Sequence, residues 1–355
     1  MNNMTYEYQF KDNANAEAAA HARSLLSDAL QKRAELSTML RKSYIRTDND
    51  DTIGAAIDQL FAGGIAEVHG DRADGRALMV VGETGVGKTH ALKRQFRLRE
   101  EFQPYETEFG TMMPLVSFEA PSPCILKEFG REFLRAMDYP VPKQLARHLV
   151  WEKVREQVEA RRVMLVHVDE MQHVFEGAKL EDISLLTNTL KNIMQQSAWP
   201  VRFIFSGLPS LADFKLEDDQ IWWRTRIVKL RTLDFANDVE LVRHVVNLMH
   251  EKANLDVSHL QGNDFLARLT HAVRGALGRM IEFTIETALD VLCADYSMKI
   301  LTVQDFANTY RSYAGCSDEE NVFLAERWYD ISPFLPKKAE VEDEALKRFR
   351  RKKKS

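Results

Sequence analysis

The stretch ALMVVGETGVGKTH, residues 77–90, combines the two local signals that decide the fold of this chain. Its first five residues are apolar, which is typical of a strand buried on both faces of a sheet. Residues 82–89 then fit the pattern G-x-x-x-x-G-K-S/T, and a helical pattern follows over residues 88–102. A glycine-rich loop between a buried strand and a helix predicts a phosphate-binding site at the edge of a parallel sheet.

The residue types in this loop suit the binding of a nucleotide. Glycines let the backbone bend so that several N–H groups point at the phosphates, and the helix adds the positive end of its dipole. Lys88 is expected to reach the β- and γ-phosphates of ATP, and the Thr89 hydroxyl to bind Mg²⁺. The predicted nucleotide contacts are Gly82, Glu83, Thr84, Gly85, Val86, Gly87, Lys88, Thr89 and His90, although His90 has no metal-ligand partner at a suitable spacing.

Three further apolar runs alternate with helical stretches after the first strand. They are PLVSF at 114–118, VMLVHV at 163–168 and VRFIF at 201–205, with helical patterns at about 123–137, 143–160 and 181–197. Near-continuous apolar strands separated by helices predict a parallel sheet that is covered on both faces. The predicted fold class is therefore α/β, a doubly wound sheet with flanking helices.

Periodicity and composition divide the chain into four predicted segments. Before the loop, an uninterrupted helical pattern runs from 14 to 42, and after Leu233 the strand signals stop in favour of helices at 237–252, 263–272, 277–295 and 303–313. The predicted segments are an N-terminal helical extension (1–50), an α/β domain (51–232), a small helical domain (233–316) and a charged C-terminal tail (317–355).

The composition of the 355 residues, 45% hydrophobic and 28% charged, is that of an ordinary globular protein. Three widely separated cysteines, Cys124, Cys293 and Cys316, argue against a disulfide framework and favour a reducing compartment. The first residues have no signal-peptide pattern, and no apolar stretch approaches the roughly 20 residues that span a bilayer. A cytoplasmic protein without membrane contact is therefore expected.

The net charge of −5 gives no indication of nucleic-acid binding, but the charge is unevenly distributed. Residues 347–354 carry seven Lys or Arg among eight positions. Any contact with DNA must therefore come from local basic patches rather than from the overall field. This basic segment could grip DNA, dock on an acidic partner or only keep the chain end soluble.

The run VMLVHVDE, residues 163–170, is an apolar strand that ends in two carboxylates. Acids at the carboxyl end of a buried parallel strand lie at the ligand-binding edge of the sheet. Asp169 is expected to hold Mg²⁺ together with Thr89, and Glu170 to polarise the attacking water. The simpler alternative is a strand end followed by a helix cap. Inside the strand, His167 is expected to be a packed core residue.

The order of these motifs resembles that of AAA+ ATPases: a phosphate loop, a strand ending in Asp-Glu, a strand ending in a small polar residue, an arginine and a helical lid. Several stretches are similar to the TniB/TnsC-type ATPases of transposons. They are residues 44–61 (YIRTDNDDTIGAAIDQLF), 114–140 (PLVSFEAPSPCILKEFGREFLRAMDYP), 168–177 (VDEMQHVFEG), 185–194 (LLTNTLKNIM) and 218–230 (DDQIWWRTRIVKL). The resemblance covers about residues 44–312.

This resemblance implies roles for residues outside the loop and the two acids. Arg224 corresponds to the finger that reaches the γ-phosphate of a neighbouring subunit, with Arg226 as the alternative. Arg279, in GALGRM, corresponds to a second sensor that touches the nucleotide from the lid. Ser206 lies in the first-sensor region, where Leu208 departs from the polar residue that the family usually has.

The resemblance further implies an ATPase that assembles as a ring or filament on double-stranded DNA, with six or seven subunits as the expected ring sizes. ATP then lies at each subunit interface, and the assembly recruits a transposase and a target-selection protein to regulate transposition. Lys127, Arg131 and Lys143 are candidates for contacts with DNA phosphates.

Two other functions remain open from the sequence. One is a relative of replication initiators or helicase loaders, although the residues after 313 are too few for an appended helix-turn-helix domain. The other is a signalling switch or small-molecule kinase that does not bind DNA. A kinase would act as a single subunit and would not need Arg224 from a neighbour.

Overall fold

The computed structural model of the protein shows an α/β unit followed by a helical unit. The residues that it describes are 16–65, 67–68, 71–72, 76–122, 124–142, 144–175, 180–196, 199–214, 224–294 and 300–333. Among these residues, no helix combines the length and the apolar character that crossing a membrane requires.

The strands of the described residues form one parallel sheet and two short antiparallel pairs, β1 with β2 and β4 with β5. In chain order they are β1 (Glu67–Val68), β2 (Asp71–Arg72), β3 (Ala77–Val81), β4 (Tyr105–Thr107), β5 (Gly110–Met112), β6 (Leu115–Glu119), β7 (Leu165–Asp169), β8 (Arg202–Gly207) and β9 (Thr225–Lys229). The parallel sheet has the order β6-β7-β8-β3-β9. The carboxyl ends of its strands therefore share one edge, where the loop after β3 lies.

Helices cover both faces of this sheet and form most of the described part of the second unit. They are α1 (16–25), α2 (Asp28–Arg41), α3 (Asp48–Ile65), α4 (Lys88–Arg97), α5 (Leu126–Ala136), α6 (Arg147–Ala160), α7 (Leu180–Met194), α8 (Leu211–Phe214), α9 (Phe235–Ala253), α10 (Asn263–Ala272), α11 (Leu277–Ala294) and α12 (Val303–Ala314). On one face, Leu92 of α4 packs with Ile204 in a core that includes α3. On the other, Phe129 of α5 and Val154 of α6 pack with Val166 in a core that includes α7.

The predicted fold class is confirmed, and four of the five parallel strands coincide with the apolar runs. The fifth strand, β9, was missed because it lies at the sheet edge and its exposed Arg226 and Lys229 interrupt the apolar pattern. The two short antiparallel pairs were also missed. The four predicted helices of the second unit correspond to α9–α12, with ends that differ by at most two residues.

Within the N-terminal segment, α2 and the residues just after it pack on the helical unit. The helix predicted over 14–42 breaks at residues 26–27, and α2 packs on α11. Leu40 and Ile45 are buried in the same core as α9–α12. Arg33 pairs with Glu286 at 2.8 Å, and Arg41 pairs with the same carboxylate at 2.5 Å.

The prediction that the charged tail begins at residue 317 is wrong, because residues up to 333 pack on the helical unit. Val322 and Phe323 are buried in its core, and the ring of Phe323 lies 5.8 Å from that of Phe306. The fully buried Asn321 amide donates to the Ala307 carbonyl at 2.8 Å. Charge patterning misled the prediction, since only these few apolar residues anchor the segment. The basic segment 347–354 lies outside the described residues.

The connection between the two units determines where α11 begins. The Leu233 N–H donates to the Gly275 carbonyl at 2.7 Å. Gly275 has a φ of +67°, and a Cβ at this position would lie 2.3 Å from the Leu233 carbonyl oxygen. Only glycine fits so close to that backbone. This contact directs the N-terminus of α11 towards the loop after β3.

Candidate nucleotide-binding site

The loop between β3 and α4 has a backbone that depends on two glycines. Gly85 has a φ of +82° and Gly87 a φ of +101°, a left-handed region that glycine adopts without steric cost. Gly87 is also the N-cap of α4, and no side chain caps this helix end. The first N–H groups of a helix have no partner within it, so an uncapped end at a loop of this shape suits an anion.

Lys88 lies in the first turn of α4 with only 7% of its surface exposed. Its ammonium group donates to the carbonyl oxygens of Gly82, at 2.7 Å, and Glu83, at 3.1 Å. Burial lowers the pKa of Lys88 below its usual value, while the negative charges of Glu170 and Asp169 act in the opposite direction. The ammonium group is therefore held inside the loop, close to both acids. His90, two residues further along α4, has an exposed side chain.

Thr89 and Asp169, the two predicted metal ligands, are in direct contact. The Thr89 hydroxyl donates to Asp169 Oδ2 at 2.7 Å, and the Ser206 hydroxyl donates to Asp169 Oδ1 at 2.5 Å. A hydroxyl and a carboxylate that converge at the phosphate loop fit Mg²⁺, which takes oxygen ligands and commonly retains waters and phosphate oxygens. The residues present therefore suit an Mg²⁺–nucleotide complex.

The carboxylate of Asp169 stays ionised despite its burial. Burial acts to raise the pKa of Asp169, but His167 and the hydrogen bonds from Ser206 and Thr89 together hold it below its usual value. Burial also lowers the pKa of His167 to about 4, so this histidine is neutral near pH 7. At that pH the hydrogen bonds therefore provide the stabilisation of the Asp169 carboxylate.

Glu170 is held in position by a residue that the sequence did not indicate. The amide of the buried Gln172 donates to the Glu170 carboxylate and accepts at 3.1 Å from the N–H of Leu208. Glu170 has a φ of +51°, which costs about 1–2 kcal/mol for a residue other than glycine. Leu208, which departs from the polar residue of the family, thus contributes through its backbone. The sequence has no signal that would distinguish Gln172 from an ordinary residue after a strand.

His167 is buried as expected, but both of its ring nitrogens have polar partners. Nδ1 lies 2.8 Å from the Ser117 hydroxyl on β6, and Nε2 lies 2.8 Å from the Ser206 hydroxyl on β8. The ring of Phe96 packs against it at a centroid distance of 5.2 Å. The prediction of a core residue therefore missed its connection, through Ser206, to Asp169.

The N-terminus of α11 contacts the phosphate loop directly. The Arg279 N–H donates to the Gly85 carbonyl at 3.3 Å, and a Cβ on Gly85 would lie 2.5 Å from Arg279 Cγ. Burial, followed by the charge of Arg274, lowers the pKa of Arg279, and Glu83 opposes the effect. The structure thus brings Arg279 to the loop, as the predicted second sensor requires.

We expect the substitution Gly278→Ala to weaken nucleotide binding about tenfold or more, because a Cβ at Gly278 would lie 2.7 Å from the Gly85 carbonyl oxygen. The clash would move the start of α11, and Arg279 with it, away from the loop. The clash is with backbone and costs stability, whereas alanine is favoured over glycine within helices by up to about 1 kcal/mol, so we expect the melting temperature to fall only slightly.

Titration of a fluorescent ATP analogue would measure this change. The matched control is Gly262→Ala at the start of α10, where a Cβ meets nothing within 4 Å. Equal affinity in the two variants and the unmodified protein would contradict a role for this contact.

Arg224 and Arg226 are not close to the phosphate loop of this chain. The register pairs Thr225 with Ala77, so both arginines lie near the start of β3, whereas the loop follows its end. β3 is about 13 Å long at 3.3 Å per residue, and it separates the arginines at its start from the loop at its end. Arg226 is exposed, and Arg224 bonds to the side-chain oxygen of Gln195 through both Nη atoms, at 3.2 and 3.1 Å, when that amide is turned to face it.

The candidates for DNA contact within the described residues differ in how exposed their side chains are. Arg131 is a poor candidate, because it is buried and lies 3.5 Å from the carboxylate of Glu128. Lys127 is half-buried, and Lys143 is outside the described residues. The sequence did not indicate this burial, because the exposure of Arg131 depends on how α5 packs.

Comparisons with known proteins agree with this fold. Residues 71–214 match the family model of the AAA domain. Cdc6p from Pyrobaculum aerophilum is similar in structure, with a TM-score of 0.54 and 12% identity over 80% of this chain and 75% of that chain. The Aeropyrum pernix ORC1 protein in complex with DNA has the same TM-score, 0.54, and 12% identity over 80% of this chain and 70% of that chain.

The Aeropyrum pernix ORC2 protein, in ADPNP–ADP complexes, has a TM-score of 0.51 and 14% identity over 78% of this chain and 72% of that chain. At such identities these likenesses show the fold alone. No curated protein sequence matches the chain. The parallel sheet, with its loop between β3 and α4, therefore has the P-loop fold of AAA+ domains.

Proposed function

We propose that this protein binds and hydrolyses Mg-ATP, and that it is an ATP-dependent, DNA-binding regulator of transposition. The observation that supports hydrolysis is the contact of Thr89 with Asp169 beside the buried Lys88. These groups come from α4 and β7 and meet at the carboxyl edge of the sheet, where α/β folds bind nucleotides.

Each of these residues has a distinct task in the proposed reaction. Lys88 exchanges its two carbonyl contacts for phosphate oxygens, and Thr89 and Asp169 would hold the Mg²⁺ ion. When bound, the ion neutralises charge on the phosphates. Glu170 orients and polarises the attacking water once its carboxylate turns from Gln172 to the water.

The proposed function requires a neighbouring subunit, because Arg224 lies at the opposite end of the sheet from its own loop. A guanidinium supplied by the neighbour would stabilise charge in the transition state and make hydrolysis depend on assembly. Arg226 is the alternative, being exposed on the edge strand β9. A ring or filament on double-stranded DNA provides such interfaces repeatedly.

The proposed role in transposition is supported by the five stretches similar to TniB/TnsC-type ATPases. In this role ATP favours assembly on target DNA, the assembly recruits a transposase and a target-selection protein, and hydrolysis resets it. A second candidate is a replication-initiator role, which the fold likeness to Cdc6p and to ORC1 with DNA favours. A transposase gene beside the gene for this protein would favour the first candidate.

We expect the protein to form oligomers on double-stranded DNA with ATP and Mg²⁺, and to lose them with ADP. Sedimentation and electron microscopy would detect the assemblies, and their affinity should fall as salt rises, because phosphate contacts release counterions. The Lys88→Ala variant is the control that separates ATP-driven assembly from nonspecific electrostatic binding to DNA. A protein that remains monomeric with ATP, Mg²⁺ and DNA would contradict the proposed DNA-linked function.

A further inference from the structure

A continuous row of hydrogen bonds connects the sheet edge to the Asp169 carboxylate. It begins at Ser117 on β6, passes through the imidazole of His167 on β7, and reaches Ser206 at the end of β8. Ser206 then donates to Asp169 Oδ1 at 2.5 Å. We call Ser117, His167 and Ser206 the hydrogen-bond relay.

The direction of the donors in the relay follows from its last member. The ionised Asp169 can only accept, so the single proton of the Ser206 hydroxyl is committed to it. The neighbouring His167 nitrogen, Nε2, must therefore carry a proton and donate to Ser206. In the neutral ring Nδ1 is then an acceptor, and the Ser117 hydroxyl donates to it. All three donors point towards Asp169, an arrangement in which each bond polarises the next.

The surroundings of the relay allow little alternative geometry. His167 and Ser206 are 1% and 0% exposed, whereas Ser117 is exposed on the edge strand. Backbone pairing fixes Ser117 opposite His167, and the Phe96 ring packs against the imidazole. A buried hydrogen bond without competing water holds its partners more firmly than an exposed one. The Asp169 carboxylate is therefore fixed from one side by the relay and from the other by Thr89.

We propose that the relay positions Asp169 for the metal, with His167 and Ser206 as positioning residues and Ser117 as the member that donates to Nδ1 of His167. This inference rests on the proposed function, since it assumes that Asp169 holds the Mg²⁺ of the nucleotide. The relay keeps Oδ1 engaged, so that Oδ2 stays directed at Thr89 and the ion. It also makes Ser117 the point where the outer surface of β6 connects to the metal site.

Three substitutions of His167 separate its two hydrogen bonds from its volume. His167→Phe keeps a ring against Phe96 and removes both bonds. His167→Gln places an amide near the position of Nε2 and retains a donor for Ser206, whereas His167→Asn places its amide near Nδ1 and loses that donor. Ser117→Ala removes only the exposed end and leaves the core intact.

The test measures the affinity of each variant for a fluorescent ATP analogue, in EDTA and over a range of Mg²⁺ concentrations. We expect His167→Phe and His167→Asn to raise the Mg²⁺ concentration for half-maximal binding about three- to tenfold, the effect of one buried hydrogen bond. His167→Gln should stay closer to the unmodified protein, and Ser117→Ala should show a smaller shift. Affinity in EDTA should stay within about twofold throughout.

The control is Thr284→Val, which removes another buried hydroxyl, one bonded to Met280 within α11 and away from the acids. It should lower the melting temperature without changing the Mg²⁺ requirement. The relay would be overturned if Ser117→Ala had the Mg²⁺ requirement of the unmodified protein and if His167→Gln and His167→Asn had the same requirement as each other.

The same measurement separates failure of the relay from failure of the proposed function. Mg²⁺-dependent binding that responds to the relay variants, without turnover in the unmodified protein, would support the relay and refute the ATPase. An unmodified protein that does not bind the analogue would refute both.

Discussion

The substitution Lys88→Ala is expected to reduce nucleotide affinity on the order of 100-fold or more and to abolish turnover. Charge-assisted hydrogen bonds contribute about 1.5–3 kcal/mol each, and Lys88 is the cation held within the loop. Isothermal titration with ATP in the presence of Mg²⁺ measures the first effect, and release of phosphate measures the second. Since this ammonium is buried, its loss should also change stability, which thermal melting reports.

The matched control for this substitution is Lys252→Ala. Lys252 is exposed in α9 of the helical unit, so its removal changes the net charge equally without touching the loop. Nucleotide binding in the control should equal that of the unmodified protein. If Lys88→Ala instead kept its affinity and turnover while folding normally, the nucleotide site proposed here would be wrong.

Mixing two inactive variants is expected to restore activity if catalysis is shared between subunits. Glu170→Gln alone should lower turnover about 10²-fold or more, and Arg224→Ala about 10³-fold or more. A random equal mixture joins an intact Glu170 to an intact Arg224 of the next subunit at about one interface in four. Phosphate release should therefore recover to about a quarter of the unmodified rate, measured on DNA with ATP and Mg²⁺.

The companion mixture replaces Arg224→Ala by Arg226→Ala. Recovery with Arg224→Ala, together with full activity of Arg226→Ala alone, would assign the finger to Arg224, and the reverse pattern would assign it to Arg226. A single-subunit enzyme such as a kinase would be favoured if Arg224→Ala alone kept full turnover. The mixture would then show only the summed activity of its two components. Glu170→Gln should retain nucleotide affinity in every mixture, since it removes only the group that polarises water.

The elements with local signals were predictable, and the missed ones lack such signals. β3, β7 and β8 are buried along almost their whole length, so each reads as an apolar run. β9 shows its partly exposed pattern only because it lies at the sheet edge. Residues 317–333 read as charged because only a few apolar side chains, such as Val322 and Phe323, anchor them to the core.

The candidate site divides in the same way. The carboxyl ends of parallel strands meet at one edge, so the approach of Thr89 to Asp169 followed from the motif order alone. Gln172 and Ser117 have no recognisable spacing relative to the loop, and their roles depend on contacts with Leu208 and His167. The role of Arg224 stays a prediction, because the nucleotide that it is expected to contact would be bound by a neighbouring subunit.

By itself, the sequence determined that a phosphate loop follows a buried strand and that two acids end a second buried strand. These are local properties, because glycine torsion angles and apolar runs act over a few residues. Tertiary structure alone decided that Gly278 lets α11 touch the loop, that Gln172 holds Glu170, and that His167 connects Ser117 to Asp169. Such contacts join distant parts of the chain through packing and hydrogen-bond geometry, which no single segment encodes.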